Sequence, residues 1–225
     1  HNPPWLGELV EKAGYHKEMD LLAYWADGDE NDLSKLFRIA GMVRERGNWT
    51  VRGINLKDLE NEMRRVMDVY NECWGENWGF VPMSGKEFQA MVDELKMLIT
   101  PELTPLVELD GELVAFGVAL PDANIAFKKG RGRALPTILA LKVPPFKVNI
   151  NRVRVLLMGV KKKYRNRGLE ALVIENIVNN SRKMGMGRGE LSWILENNRE
   201  MRAILEKQMK ADPYKRYRIY QKDLQ

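Results

Sequence analysis

Residues 154–177 constrain the fold of this chain more than any other part of its sequence. An apolar run over 154–160 leads into a turn rich in lysine, arginine and glycine, and apolar residues then recur at helical spacing from Leu169 to Ile177. A short apolar run bounded by such a turn predicts a buried strand, and the periodic stretch predicts a helix packed on a sheet. We therefore expect a central strand, a basic loop and a helix in this order.

The basic loop has the features of an anion-binding site. A helix N-terminus offers unpaired backbone N–H groups and roughly half a positive charge. Gly168 lets the backbone approach a phosphate closely. The basic side chains that could add counter-charge are Lys161, Lys162, Lys163, Arg165 and Arg167. An ordinary strand-to-helix turn with solvated basic side chains explains the same pattern, so both interpretations stay open at this point.

The remaining sequence also alternates between strand and helix patterns. Asp110-Gly111 predicts a hairpin turn, and Ser84 with Glu87 three residues later predicts a capped helix start. The predicted elements are a helix over 31–46, a strand over 50–54, helices over 56–70 and 88–98, strands over 106–109 and 113–120, a short helix around 135–141, a strand over 190–195, a helix over 198–209 and a strand over 217–220. This order predicts an α/β (α+β) fold with a mixed central sheet flanked by helices.

The segment 155–171 resembles the acyl-CoA signature Q/R-x-x-G-x-G/A of the GNAT superfamily of acyltransferases. Arg165 takes the first motif position and Gly168 the second, whereas Glu170 stands where the family prefers Gly or Ala. A carboxylate there is expected to weaken the binding of a pyrophosphate unless it points away. The element order over 48–223 resembles the same family and implies a GNAT-like sheet.

The resemblance implies acetyl-CoA or another acyl-CoA as cosubstrate and no metal. The residues expected to hold its pyrophosphate are Arg165, Asn166, Arg167, Gly168, Leu169 and Glu170. Backbone N–H groups of the strand at Met158, Gly159 and Val160 are expected to polarise the thioester carbonyl. An amine then attacks that carbonyl directly.

The resemblance continues into the helix after the next strand. Asn198 matches an Asn that family members often carry, and it is a candidate catalytic residue. The Tyr that serves many members as general acid falls on Leu205, where core packing is the simpler interpretation; Tyr214, Tyr217 and Tyr220 are the alternatives. Glu196 is the candidate general base, or a carboxylate that favours a helix N-terminus.

Candidate residues for the amine acceptor lie in two other segments. Trp78 and Phe80 follow the first helix of the predicted GNAT-like unit, where the family places its acceptor loop, and they could equally form a core plug. Asp122 and Asn124 end a predicted strand. They could orient an amine or cap a turn. We expect a small-molecule or peptide amine acceptor.

The whole chain also resembles a group of uncharacterised bacterial GNAT-like proteins, and its beginning fits a repeat. Residues 2–25 can be laid on 197–220 with a shift of 197 − 2 = 195 positions. We therefore predict a helix and a strand within 1–30 as the remnant of a preceding GNAT-like unit, a linker helix over 31–47 and a GNAT-like acyltransferase domain over 48–225.

Composition excludes several other classes of protein. One cysteine and two histidines cannot form a Cys/His zinc site. No apolar run approaches a membrane span of roughly 18 residues, so we expect no membrane partner and a cytoplasmic location. The net charge of +5 comes without an RNA-binding motif, which argues against nucleic acid. The start resembles no signal peptide and lacks Met, which suggests a fragment.

Two functional hypotheses follow from the sequence. The first is an acyl-CoA-dependent N-acyltransferase with an unknown amine acceptor. The second is a degenerate GNAT module that binds a ligand or partner without catalysis. Glu170 and Leu205 are the features that favour the second hypothesis.

Overall fold

The computed structural model describes residues 2–28, 30–96, 98–142 and 147–223. His1, Asp29, Met97, 143–146 and 224–225 lie outside these ranges. The predicted units 1–30 and 48–225 therefore extend partly outside the described residues.

Strands and helices alternate along most of the described chain. The strands are β1 His16–Asp27, β2 Trp49–Gly53, β3 Pro105–Leu109, β4 Glu112–Pro121, β5 Arg152–Val160, β6 Arg188–Leu195 and β7 Asp212–Gln221. The helices are α1 Trp5–Lys12, α2 Ser34–Arg46, α3 Leu59–Trp74, α4 Gly85–Leu95, α5 Asn124–Lys129, α6 Ala134–Lys142, α7 Leu169–Lys183 and α8 Arg199–Ala203, and α8 continues as a π-helical turn over Ile204–Gln208. The short helix α5 was not expected from the sequence.

The described strands form one mixed seven-stranded sheet in the order β2-β3-β4-β5-β6-β1-β7. β5 is the fourth strand and thus central, which confirms the prediction for 154–160. β5 and β6 run parallel, and the other neighbouring strands are antiparallel. The crossover from β5 to β6 carries α7, as a parallel pair requires.

Local signals in the sequence set two of the boundaries. Asp110 and Gly111 both have positive φ, 48° and 81°, which is the backbone a tight two-residue hairpin needs. Ser84 caps α4, and Glu87 returns the bond to complete a capping box. Both predictions are confirmed, because each rests on chemistry within four consecutive residues.

Helices cover the two faces of the sheet. α2 and α7 pack on one face, where Leu36, Ala40 and Val43 of α2 are buried beside α7. α3 and α4 form a second core with strands β3 to β5 on the other face. The predicted linker helix over 31–47 is therefore a packed part of the core, because its apolar stripe faces α7.

The start of the chain is built into the same sheet. α1 and β1 confirm the predicted helix followed by a strand within residues 1–25. β1 pairs with β6 on one side and β7 on the other. Its origin in a preceding GNAT-like unit stays a prediction, as do the domain boundaries.

The segment predicted as one helix over 198–209 changes its winding partway. α8 ends at Ala203, and a π-helical turn follows. Leu205 in this turn is completely buried and belongs to the core on the α7 face. Core packing is therefore what Leu205 does in this structure.

Candidate functional site

A gap between β5 and β6 forms a cleft lined by residues of both strands. The parallel pairing runs from Arg152 opposite Arg188 to Val155 opposite Leu191. Both strands continue past this pair, β5 to Val160 and β6 to Leu195. Since β5 remains paired to β4 and β6 to β1, the two strands diverge and leave a wedge in the middle of the sheet.

A bulge in β5 and its pairing with β4 direct backbone groups into this gap. Val118 lies opposite Leu157 and Ala119 opposite Val155, so Leu156 is the extra residue of a β-bulge. Farther along, the Lys161 N–H donates to the Val114 carbonyl at 2.9 Å. Bonding groups alternate sides along an antiparallel strand. The N–H groups of Met158 and Val160 therefore point away from β4, towards the gap.

The predicted anion loop lies at the mouth of the gap. Gly168 has a left-handed backbone with φ of 79° and immediately precedes α7. Asn166 also has positive φ, 61°. The Ala171 N–H donates back to the Gly168 carbonyl at 3.0 Å, while Leu169 and Glu170 precede the first intrahelical bond of α7. Arg165 and Glu170, on either side of Gly168, both line the cleft. The positive-φ loop and the first turn of α7 therefore border the cleft.

Most of the basic side chains of the loop are bound to other protein groups. Lys161 pairs with Glu112 at 2.7 Å and Lys162 with Glu76 at 2.8 Å. Lys163 and Arg167 lie over the ring of Tyr164. These side chains are exposed or half-buried, so they can exchange partners. None of the four is among the residues that line the cleft.

Arg165 is the loop cation that faces the cleft. Its guanidinium donates to the Cys73 carbonyl at the end of α3, at 3.2 Å. The Cys73 thiol is buried and donates to the Val160 carbonyl at 3.1 Å. Burial raises the pKa of Cys73 to about 11. The loop, α3 and the end of β5 are thus held together beside the gap.

Glu170 has a half-buried carboxyl group in the first turn of α7. Burial raises its pKa above the ordinary value, a hydrogen bond from its own backbone N–H opposes the rise, and the charges of Glu200 and Arg165 add to it and oppose it, respectively. Both glutamates line the cleft. The carboxyl therefore faces the space expected to receive the pyrophosphate, in a setting that disfavours its charged form.

The cleft has a volume of about 800 Å³, and one wall is aromatic. Tyr70 stacks on Trp74 with ring centroids 4.6 Å apart, and Phe80 meets Tyr70 edge-on at 5.8 Å. Trp78 also lines this wall, and its indole N–H donates to Glu18 at 2.9 Å. Trp78 and Phe80 are therefore brought to the cleft.

Asp122 and Asn124 lie away from the cleft-lining residues. The Asp122 carboxylate is buried and accepts from the Arg152 guanidinium at 2.7 Å. It also accepts from the backbone N–H of Asn124 at 3.1 Å, where α5 starts. The contacts support the turn-capping interpretation over the acceptor site, because the polar atoms are used within the turn.

Glu196 and Asn198 follow β6 but differ in position. Glu196 pairs with Lys17 at 2.7 Å and accepts from the backbone of Asp20. The hydrogen bond from Lys17 lowers the pKa of Glu196, which makes it a weaker base, and it is not among the cleft-lining residues. Asn198 lines the cleft and caps α8 by accepting from the Met201 N–H at 3.1 Å.

Tyr70 lines the cleft, although its sequence pattern did not single it out as a site residue. Burial raises its pKa above the ordinary value, so the phenol keeps its proton. Helical periodicity placed Tyr70 on the packed face of α3, and nothing local distinguishes a core ring from one at the cleft. Tyr214 and Tyr217 instead contact Trp25 and Trp193.

The described ranges contain no group of three or more His, Cys, Asp or Glu side chains arranged to hold a metal ion. None of their helices combines the length and apolar character needed to cross a bilayer.

Two curated bacterial proteins are similar to the whole chain. Protein YghO of Escherichia coli (strain K12) is 35% identical over 230 residues, and a protein named bacterial ceramide synthase of Caulobacter vibrioides (strain NA1000 / CB15N) is 33% identical over 231 residues. Both alignments cover 100% of this chain but only 58% and 59% of the relatives. The chain thus spans somewhat more than half the length of the curated relatives. No protein-family model matches the sequence.

Solved structures share the fold at low sequence identity. A GCN5-related N-acetyltransferase from Sphaerobacter thermophilus aligns with a TM-score of 0.64 and 15% identity, over 95% of this chain and 54% of that one. A tandem GNAT protein from the clavulanic acid biosynthesis pathway aligns with a TM-score of 0.58 and 12% identity, over 97% of this chain and 58% of that one.

Proposed function

We propose that this protein, whose mixed sheet and flanking helices give it the fold of the GCN5-related N-acetyltransferases, is an acyl-CoA-dependent N-acyltransferase. The observation that carries the proposal is the wedge between β5 and β6 with the glycine loop of α7 at its mouth. This arrangement places an anion cradle and a strand edge around one cleft.

The backbone supplies most of the proposed binding groups. Backbone N–H groups of the loop and of the first turn of α7 would hold the pyrophosphate. The edge of β5 beyond Val155 presents N–H and C=O groups that an amide-bearing pantetheine arm can pair with, much as a peptide adds to a strand edge. A Cβ on Gly168 would come within 2.9 Å of the Val43 side chain, so the close packing of α2 below the loop requires glycine.

The chemistry needs positioning and proton transfer. The amine nitrogen attacks the thioester carbon and gives up a proton to solvent, the C–S bond breaks, and the thiolate of CoA takes up a proton. The N–H groups of Met158 and Val160 would stabilise the oxyanion that forms on the carbonyl oxygen. Tyr70 is the proposed proton donor to the leaving sulfur, because it lines the cleft and keeps its proton.

The similarity to a protein named bacterial ceramide synthase supports a class of acceptor. A ceramide is the amide of a fatty acid with a long-chain amino alcohol, so that name describes an N-acylation. We propose that the amine acceptor is a long-chain amino alcohol. The aromatic wall of Tyr70, Trp74 and Phe80 would offer such a chain an apolar surface.

Release of free CoA thiol from acyl-CoA, measured with and without a panel of amines, tests this function. The panel contains a long-chain amino alcohol, a short amino alcohol and a peptide amine. We expect thiol release and an amide product with the long-chain amine, and Tyr70→Phe should lower kcat more than it changes KM. Absence of turnover with every pair of substrates would contradict the enzyme proposal.

A non-catalytic GNAT module is the second candidate. Glu170 facing the cleft and Leu205 in the core are the observations that favour it. Binding of acyl-CoA without turnover, seen as a raised thermal midpoint of the protein, is the result that would select this candidate.

A further inference from the structure

A small apolar cavity lies behind the closed end of the cleft. It sits between the sheet and α7, on the far side of the last β5–β6 pair, and has a volume of about 50 Å³. Most of its wall is aliphatic. Representative wall residues are Val153, Ile174, Ile177, Val178 and Met209.

The cavity and the cleft share part of their walls. Val155, Met158 and Leu191 line both. Val155 and Leu191 form the last pair before the strands diverge. The wall that separates the cavity from the cleft, called the partition below, therefore lies where the two strands separate. Met158 adds an unbranched, flexible side chain, which adopts other rotamers more easily than a branched one.

The chemistry of the cavity fits an alkyl chain. Its volume exceeds the roughly 10–15 Å³ that one water occupies, and apolar cavities tend to stay dry and bind apolar ligands. The polar side chains in its wall are engaged elsewhere. Ser181 donates to the Val178 carbonyl at 3.0 Å, and Arg188 pairs with Asp27 at 2.7 Å. A polar ligand would find these groups already paired.

We propose that this cavity binds the terminal methylenes of a fatty acyl chain and that Met158 is the gate through which the chain enters. The inference rests on the proposed acyltransferase function and adds the class of acyl donor, a medium- or long-chain fatty acyl thioester. The thioester would lie near the N–H groups of Met158 and Val160. Its alkyl end would then run to the apex of the wedge and displace the Met158 side chain.

Gly189 offers a way to fill the cavity from the sheet. It lies in β6 and lines the cavity, and an added Cβ would meet only the Val153 side chain, at 3.6 Å, which is an ordinary contact. Gly189→Val should therefore occupy the cavity with little strain, and Gly189→Ala is a milder form. Gly41→Val is the matched control, because a Cβ on Gly41 in α2 meets nothing within 4 Å.

The experiment measures the dissociation constants of straight-chain acyl-CoA thioesters of increasing length by calorimetry, below their micelle concentrations. For the wild type and Gly41→Val, affinity should rise about fourfold per added methylene once the chain reaches the cavity. Gly189→Val should bind acetyl-CoA like the wild type and bind the longest thioesters at least about tenfold more weakly. Met158→Ala should strengthen the binding of long chains.

The outcomes separate the two proposals. If acetyl-CoA binds but affinity does not rise with chain length, or if Gly189→Val and Gly41→Val give the same length profile, the cavity proposal is wrong and the acyltransferase proposal stands. If no thioester binds to the folded wild type, both are wrong. Circular dichroism and thermal midpoints establish that each variant is folded. If Gly189→Val does not fold, Gly189→Ala takes its place in the experiment.

Discussion

Val155 and Leu191 form the last parallel pair between the two central strands, and the cleft begins where this pair ends. Each strand diverges because its other edge is held, β5 by β4 and β6 by β1. The extra residue Leu156 lies just beyond Val155, and this bulge bends β5 at the same point. The gap is thus a consequence of how the sheet is paired on both sides of it.

Gly168→Ala should lower both stability and the affinity for acyl-CoA. Gly168 has φ of 79°, and a Cβ would approach Val43 to 2.9 Å and Ile39 to 3.1 Å. The left-handed backbone alone costs about 1–2 kcal/mol for a non-glycine residue. Gly185→Ala is the control, since Gly185 has φ of 78° and no neighbour within 4 Å. Urea unfolding should show the larger loss for Gly168→Ala, and equal losses would contradict the packing argument.

Gly168→Asp should abolish acyl-CoA binding, whereas Glu170→Gln should leave it unchanged or strengthen it. A carboxylate about 5 Å from a phosphate costs on the order of 1 kcal/mol near a protein surface after screening by salt, which corresponds to several-fold in affinity. Because the pKa of Glu170 is raised, wild-type binding should weaken as the pH rises through that pKa, and Glu170→Gln should lose this dependence. Calorimetry across pH measures both effects; a weaker complex with Glu170→Gln would contradict the prediction. Glu60→Gln, at an exposed pair with Arg64, is the control.

Cys73 should react slowly with iodoacetamide in the folded protein. The thiolate is the reactive form, and the pKa of Cys73 is about 11. At pH 8 only about one thiol in a thousand is ionised, compared with about a quarter for an ordinary cysteine of pKa about 8.5. Mass spectrometry should show a rate that rises with pH towards 11 and that becomes fast on unfolding. Rapid labelling at pH 8 in the folded state would show that the thiol is not buried.

Asp20→Asn should destabilise the fold at neutral pH. Asp20 is buried and accepts two hydrogen bonds from the Arg218 guanidinium, at 2.9 and 3.1 Å. These bonds hold the pKa of Asp20 below 3.8. Its contribution to stability is therefore present above pH 3.8 and is lost as the pH falls through the folded pKa.

The expected loss for Asp20→Asn is about 1–3 kcal/mol at pH 7, the usual effect of breaking charged hydrogen bonds to a buried group. The difference from wild type should shrink in strong acid, as measured by denaturant unfolding at several pH values. Asp93→Asn is a control at an exposed pair with Lys96 and should change little. A difference for Asp20→Asn that is independent of pH would contradict the ion-pair explanation.

The sequence determined the elements whose causes lie close together in the chain. The apolar run over 154–160 and the helical spacing after it predicted β5 and α7, and Asp110-Gly111 predicted the turn between β3 and β4. The helical spacing that follows Gly168 likewise predicted that this residue precedes a helix. Each of these features depends on backbone geometry or periodicity within a few residues.

Only the tertiary structure decided which side chains meet at the cleft. Glu196 and Asn198 are two residues apart, yet Lys17 binds the first while the second lines the cleft. Tyr70 reaches the cleft because α3 packs across β5, and the partition at Met158 exists because β5 and β6 diverge. These relationships join residues far apart in the chain, and the sheet register that brings them together is a property of the whole fold rather than of any local stretch.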